Sequence, residues 1–161
     1  MPPRPIAMAA VLTATLSIPL QVYAADAPQP QAGTGVADLI AAGEAQLAEG
    51  KADEAVATLE QAVAVDPKSS QAYTRLGGAR LVKQEFSAAI GDFRSALAAD
   101  PNNADAFIGM ALAYLHSADY ALARAALGEA RRLAPDKAPK IDEVLIYMDQ
   151  REGSAGLPAS H

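Results

Sequence analysis

Residues 95–115 read SALAADPNNADAFIGMALAYL. A helical, alanine-rich composition halts at Asp100-Pro101, crosses two asparagines and resumes at once. Proline stops a helix because its ring collides with the carbonyl four residues back and it has no N–H to donate. The same break stands at Pro67, after AVD, and at Pro135, after RLA, so the three prolines lie 34 residues apart. A breaker that recurs at one interval marks a helix end that recurs. Periods of this length belong to solenoids with one helix–turn–helix per repeat.

Side chains keep the same register. Leu39, Tyr73 and Phe107 correspond, as do Ala42, Leu76 and Met110, then Gly43, Gly77 and Ala111. On the second helix of each unit Ala55, Ala89 and Ala123 correspond, followed by Leu59, Phe93 and Leu127, then Ala62, Ala96 and Ala130. Residues three and four apart share a helix face, so Ala89, Phe93 and Ala96 form a small–large–small stripe. The large residue has to fill what the small ones leave. The spacing predicts helix pairs turning near Gly50, Glu85 and Asp119.

This pattern resembles the tetratricopeptide repeat. The second unit carries Tyr73, Leu76-Gly77, Phe86, Ala89, Phe93, Ala96 and Pro101. The third carries Phe107, Ala111, Tyr114, Tyr120, Ala123, Ala130 and Pro135. The first departs from the pattern at Gln46 and Ala52, and the second at Arg80, where the family favours an aromatic. The resemblance implies an all-α solenoid of antiparallel helix pairs, with units 36–67, 70–101 and 104–135. It also implies a concave groove that holds other proteins, without catalysis.

The two ends differ from the middle. Residues 1–24 carry one early cation, Arg4, then an uncharged stretch broken by Pro19, and finish in Val22-Tyr23-Ala24. That is the layout of a secretory signal peptide, with cleavage expected after Ala24. The alternative is a membrane anchor, but Ile6 to Leu20 is shorter than the roughly 20 apolar residues a span requires. The mature chain is therefore expected in the periplasm or secreted, without stable membrane insertion. Having no cysteine, it can carry neither a lipoprotein anchor nor a disulfide. Residues 25–35 read as a Pro/Gly-rich linker. The GTG within it is no phosphate loop, since no strand precedes it. A helix over about 139–150, with Ile141, Val144, Leu145 and Met148 on one face, suits the cap that closes a solenoid domain at about residue 152. Residues 153–161 read as a disordered tail.

Charge and chemistry exclude several functions. The chain has 13 basic and 19 acidic residues, net −6, and loss of Arg4 would leave 12 against 19, or −7. Nucleic acid is thus an unsuitable partner. Arg131-Arg132 ends a helix, where it complements the dipole. His116 and His161 are the two histidines. His116 near Asp119 lacks a nucleophile or third group. A metal site needs three or four ligands together, and neither metal nor cofactor is expected. Asp53-Glu54 and Asp142-Glu143 read as first-turn carboxylates at positive helix ends.

In the family that this sequence resembles, the first helix of each unit lines the groove. The matching residues are Ile40, Glu44 and Leu47; then Gln71, Thr74, Arg75, Gly78 and Leu81; then Asp105, Ile108, Leu112 and Leu115. Some members grip a carboxylate with a lysine and asparagine clamp. Ile40, Glu44, Arg75, Asp105 and Gly109 occupy those places here, so that clamp is missing. An apolar floor of this kind suits an amphipathic helix or an apolar extended segment of a partner, with Leu47, Leu81 and Leu115 alternatively serving as core. The expected function is an interaction adaptor of the cell envelope. Self-association is the alternative, and a homo-oligomer is its signature.

Overall fold

The structure, a computed structural model, describes residues 35–155. The expected signal peptide and most of the linker lie outside the described residues. Seven α-helices follow in order: α1 (Val36–Ala48), α2 (Ala52–Val65), α3 (Ser70–Val82), α4 (Phe86–Ala99), α5 (Ala104–His116), α6 (Tyr120–Leu133) and α7 (Ala138–Ala155). A single 3-10 turn, Pro135–Lys137, precedes α7. No strand occurs among the described residues. The architecture is an all-α solenoid of antiparallel helix pairs.

Local chemistry sets the period. Each first helix ends in a six-residue hydrogen-bonded turn that satisfies its orphan carbonyls. Lys51, Glu85 and Asp119 donate their N–H to Gln46, Arg80 and Tyr114, while Gly50, Gln84 and Ala118 donate to Leu47, Leu81 and Leu115. The reversal needs a left-handed residue, and Gly50 (φ 79°), Gln84 (φ 62°) and Ala118 (φ 60°) supply it. Only the first unit uses glycine there. At the far end of the first two pairs, Asp66 and Asp100 accept the N–H of Lys68 and Asn102, and Pro67 and Pro101 sit in the turn; after the third pair Pro135 opens the 3-10 turn. Ser69 and Asn103 then cap α3 and α5 by accepting the N–H of Ala72 and Ala106.

The first helices α1, α3 and α5 approach one another in sequence, whereas α2, α4 and α6 do not. The layer of first helices is therefore the shorter, inner arc, which makes the concave face. The core runs between the layers. Phe93 of α4, 1% exposed, is wedged between glycines of two helices. A β-carbon on Gly77 of α3 would come within 2.8 Å of its ring, and one on Gly109 of α5 would collide with it. Leu59 lies against Gly43 in the same way. In the third unit Leu127 packs with Ala111, Ile141 and Met148.

Two expectations about packing need correction. Ala42, in register with Leu76, is exposed, because that register faces the preceding unit, as Leu76 does with α1 and α2, and among the described residues no helix precedes α1. The closing helix runs to Ala155 rather than about 150, so residues 153–155 continue it instead of beginning a tail. Ion pairs Arg131–Asp142 (3.1 Å) and Arg124–Asp149 (2.7 Å) hold α7 antiparallel to α6. Its first residue falls 34 after that of α5, in the slot of a fourth first helix.

Candidate functional site

The concave face has three seams, α1/α3, α3/α5 and α5/α7, and the last two differ. In the α3/α5 seam Asn103 Nδ2 donates to Ser70 Oγ (2.8 Å) and Thr74 Oγ1 (2.9 Å). Ser70 Oγ donates onward to the Ala96 carbonyl of α4 (2.9 Å), and Thr74 Oγ1 to the Ser70 carbonyl (2.8 Å). Thr74 is 8% exposed. With Phe93 beneath and this hydrogen-bond lacing above, the seam is shut.

The α5/α7 seam is open. No Cα of α7 comes within 8 Å of one in α5, although α1 and α3, and α3 and α5, do approach that closely. Between them lies a cavity of about 170 Å³. Ile108 and Leu112 of α5 form one wall, Ile141 and Val144 of α7 the other, and Leu127 of α6 also lines it. Lys137 and Lys140 complete the lining. Register contributes to the difference. Leu127 stands 34 residues after Phe93; Leu59 holds the same register and closes the α1/α3 seam against Gly43, but in the third unit Ala111 replaces that glycine. Lys137 stands 34 after Asn103, and where the asparagine makes two half-buried hydrogen bonds it ties the turn before α7 to α5 by one exposed ion pair with the Asp105 carboxylate.

The twelve residues assigned to the groove are thus dispersed, Gly78 being half-buried on α3. Ile108 and Leu112 meet at the cavity, with Leu112 41% exposed. Asp105 is exposed at its edge through Lys137. Ile40 and Thr74, in the register of Ile108, are core instead: Ile40 is 4% exposed in the cluster with Leu39, Leu59 and Leu76. A closely seated α3 covers Ile40 and a hydrogen-bonded Asn103 covers Thr74, so neither is available to a partner. Glu44 and Arg75 pair with each other across α1 and α3. Gln71 is exposed. Leu47, Leu81 and Leu115 are half-buried against the three core clusters, which makes them chiefly packing residues.

Sequence reasoning missed Leu127, Lys137 and Lys140 as cavity residues, although the loss of the aromatic at the Phe93 register was a readable signal. It also missed a polar cluster between α2, α3 and α4. Arg80 Nη1 donates to both oxygens of buried Asp92 at 2.7 Å, and Nη2 to Glu60 at 2.6 Å. Burial pushes the Asp92 carboxyl up, against the hydrogen bond and charge of Arg80, which pull it down. The guanidinium stands where the repeat pattern favours an aromatic, and the buried acid is its counterpart. His116, at the end of α5, stacks on Phe86 with ring centroids 4.6 Å apart. Among the described residues no group of three or more histidines and acids could hold a metal. No described helix is long and apolar enough to cross a membrane.

Two tetratricopeptide-repeat family models match residues 40–104 and 83–144. No curated protein matches the chain in sequence. Among solved structures, the type III secretion translocator chaperone SycD of Yersinia enterocolitica is similar at TM-score 0.69 and 18% identity, over 73% of this chain and 93% of that one. SycD in complex with a peptide of the translocator YopD is similar at 0.67 and 17%, over 73% and 94%. The TPR2B domain of yeast Sti1, in a complex named for pHsp70, reaches 0.69 and 23%, over 72% and 97%. At these identities the likeness is one of fold.

Proposed function

Because residues 40–144 carry tetratricopeptide repeats, we propose that this chain is a non-catalytic adaptor whose concave face receives a segment of another protein. The observation that carries the reading is the open, apolar seam between α5 and α7. Apolar area left wet in a free protein is what a partner buries. Similar folds that hold peptides, SycD with a YopD peptide among them, support it. A partner recovered from cell extract on the immobilised chain should be lost with Leu112→Asp on the concave face. It should be kept with Ala125→Asp on the exposed side of α6. Equal retention by both variants would remove the concave face from the reading.

The pattern of residues 1–24 supports export, and we place the adaptor in the periplasm or outside the cell. N-terminal sequencing of the natively produced chain should begin at Ala25. Met1 retained in a membrane fraction would make the segment an anchor. A second reading, self-association, is favoured by Ile146 and Tyr147 of α7, 56% and 53% exposed. Concentration-dependent dimers that Tyr147→Asp abolishes would establish it.

A further inference from the structure

We infer that the α5/α7 seam is a single-residue anchor pocket for a peptide carrying one leucine- or phenylalanine-sized side chain directly beside an acidic residue. The inference rests on the adaptor reading and names the chemistry of the segment that the concave face receives.

Size comes first. A cavity of about 170 Å³ is close to the roughly 150 Å³ apolar cavity that holds one benzene. It accepts one branched or aromatic side chain and is too small for a whole fatty-acyl tail. Its walls, Leu112, Leu127 and Ile141, offer that side chain no hydrogen-bonding group, so a polar anchor would lose its water without compensation.

Charge comes second. The two lysines are the charged residues of the lining, in a chain whose net charge is −6. Lys137 is already paired with Asp105. Lys140 is exposed, so a carboxylate entering beside the anchor meets its ammonium and competes with Asp105 for Lys137. A basic segment would meet the same two lysines with like charge. Asp105 therefore restrains the site, and neutralising it should strengthen binding.

The test is a selection from a random heptapeptide library on the immobilised full chain, followed by fluorescence anisotropy of the enriched peptides on variants. The enriched peptides should share a leucine, isoleucine or phenylalanine next to aspartate or glutamate. Leu112→Asp should weaken them roughly ten-fold or more. Val144→Phe, which fills the cavity from the α7 wall, should do the same with an unchanged melting profile. Asp105→Asn should tighten them about two- to five-fold, a gain that no misfolded variant can imitate. Enriched peptides without an acid, or indifferent to both pocket variants, would overturn the inference. If those peptides depend on Arg75 instead, the adaptor reading survives without it. Displacement by decanoate at lower concentration than by the peptides would assign the pocket to an acyl chain and refute the peptide anchor. A library yielding no binder at all would sink the adaptor reading as well.

Discussion

The α3/α5 and α5/α7 seams of the concave face occupy equivalent places in the period and do opposite things. Between α3 and α5 an aromatic ring fills the depth and an asparagine laces the rim, so two helices close on each other. Between α5 and α7 a leucine and a lysine stand in those registers, and the helices stay apart. A leucine alone does not open a joint, since Leu59 closes α1 on α3 against Gly43; in the third unit Ala111 stands in that glycine register. Backbone periodicity therefore fixes where a site can be, and the side chains in the filling, small and rim registers decide whether it exists.

The largest expected effect tests the closed seam. Phe93→Ala should cost about 3–5 kcal/mol, because Gly77 and Gly109 bring no side chain that could collapse into the void. Leu127→Ala should cost less than Phe93→Ala, since Leu127 already borders empty space. Chemical denaturation of both variants decides the matter, and equal losses would erase the distinction between the seams.

Next in size is the lacing. Asn103→Ala removes the cap of α5 and two side-chain hydrogen bonds together, and should cost about 2 kcal/mol. Denaturant midpoints give the answer. A loss of only a few tenths would show that Thr74 and Ser70 are satisfied without it.

A smaller effect, of opposite sign, sits in the turn after α5. Ala118 holds a left-handed conformation that burdens any residue with a β-carbon by about 1–2 kcal/mol, where the first unit has Gly50. Ala118→Gly should raise stability by up to about 1 kcal/mol, read as a higher melting temperature. A decrease would contradict the turn geometry. The smallest change belongs to the open seam: Leu112→Ser should shift stability by about 0.5 kcal/mol or less. A loss above about 2 kcal/mol would mean that Leu112 belongs to the core and the seam is shut.

Much of the fold was legible because it is local. Prolines, capping residues and the small–large–small stripes act within one turn of where they are written, and the helices break at the registers they set. Phe93 declared itself as the large member of its stripe. The binding face was harder to read, because Ile40, Thr74 and Ile108 share one register and differ in fate. What separates them is the distance to the next helix, and residues far along the chain set that distance. Gly109 shows the same limit. It resembled a position where a clamp residue is missing, and its role is to admit the ring of Phe93 from another helix. Asp92 is a third case, since a lone acid on an amphipathic helix reveals its buried arginine partner only in three dimensions.

One consequence concerns length. Since α7 begins in the slot of a fourth first helix, the molecule can be lengthened only in whole multiples of its period. Splicing a second copy of residues 70–103 after Asn103 would set that asparagine as the cap of the new helix and extend the inner arc by one shut joint. One side chain stands in the way. In the copy, Arg75 arrives at the register of Gly109, against Phe93, so the spliced helix needs glycine there before the ring can enter. The cavity would be carried along unchanged at the far end, because it belongs to the junction of the last unit with α7 and to no unit by itself.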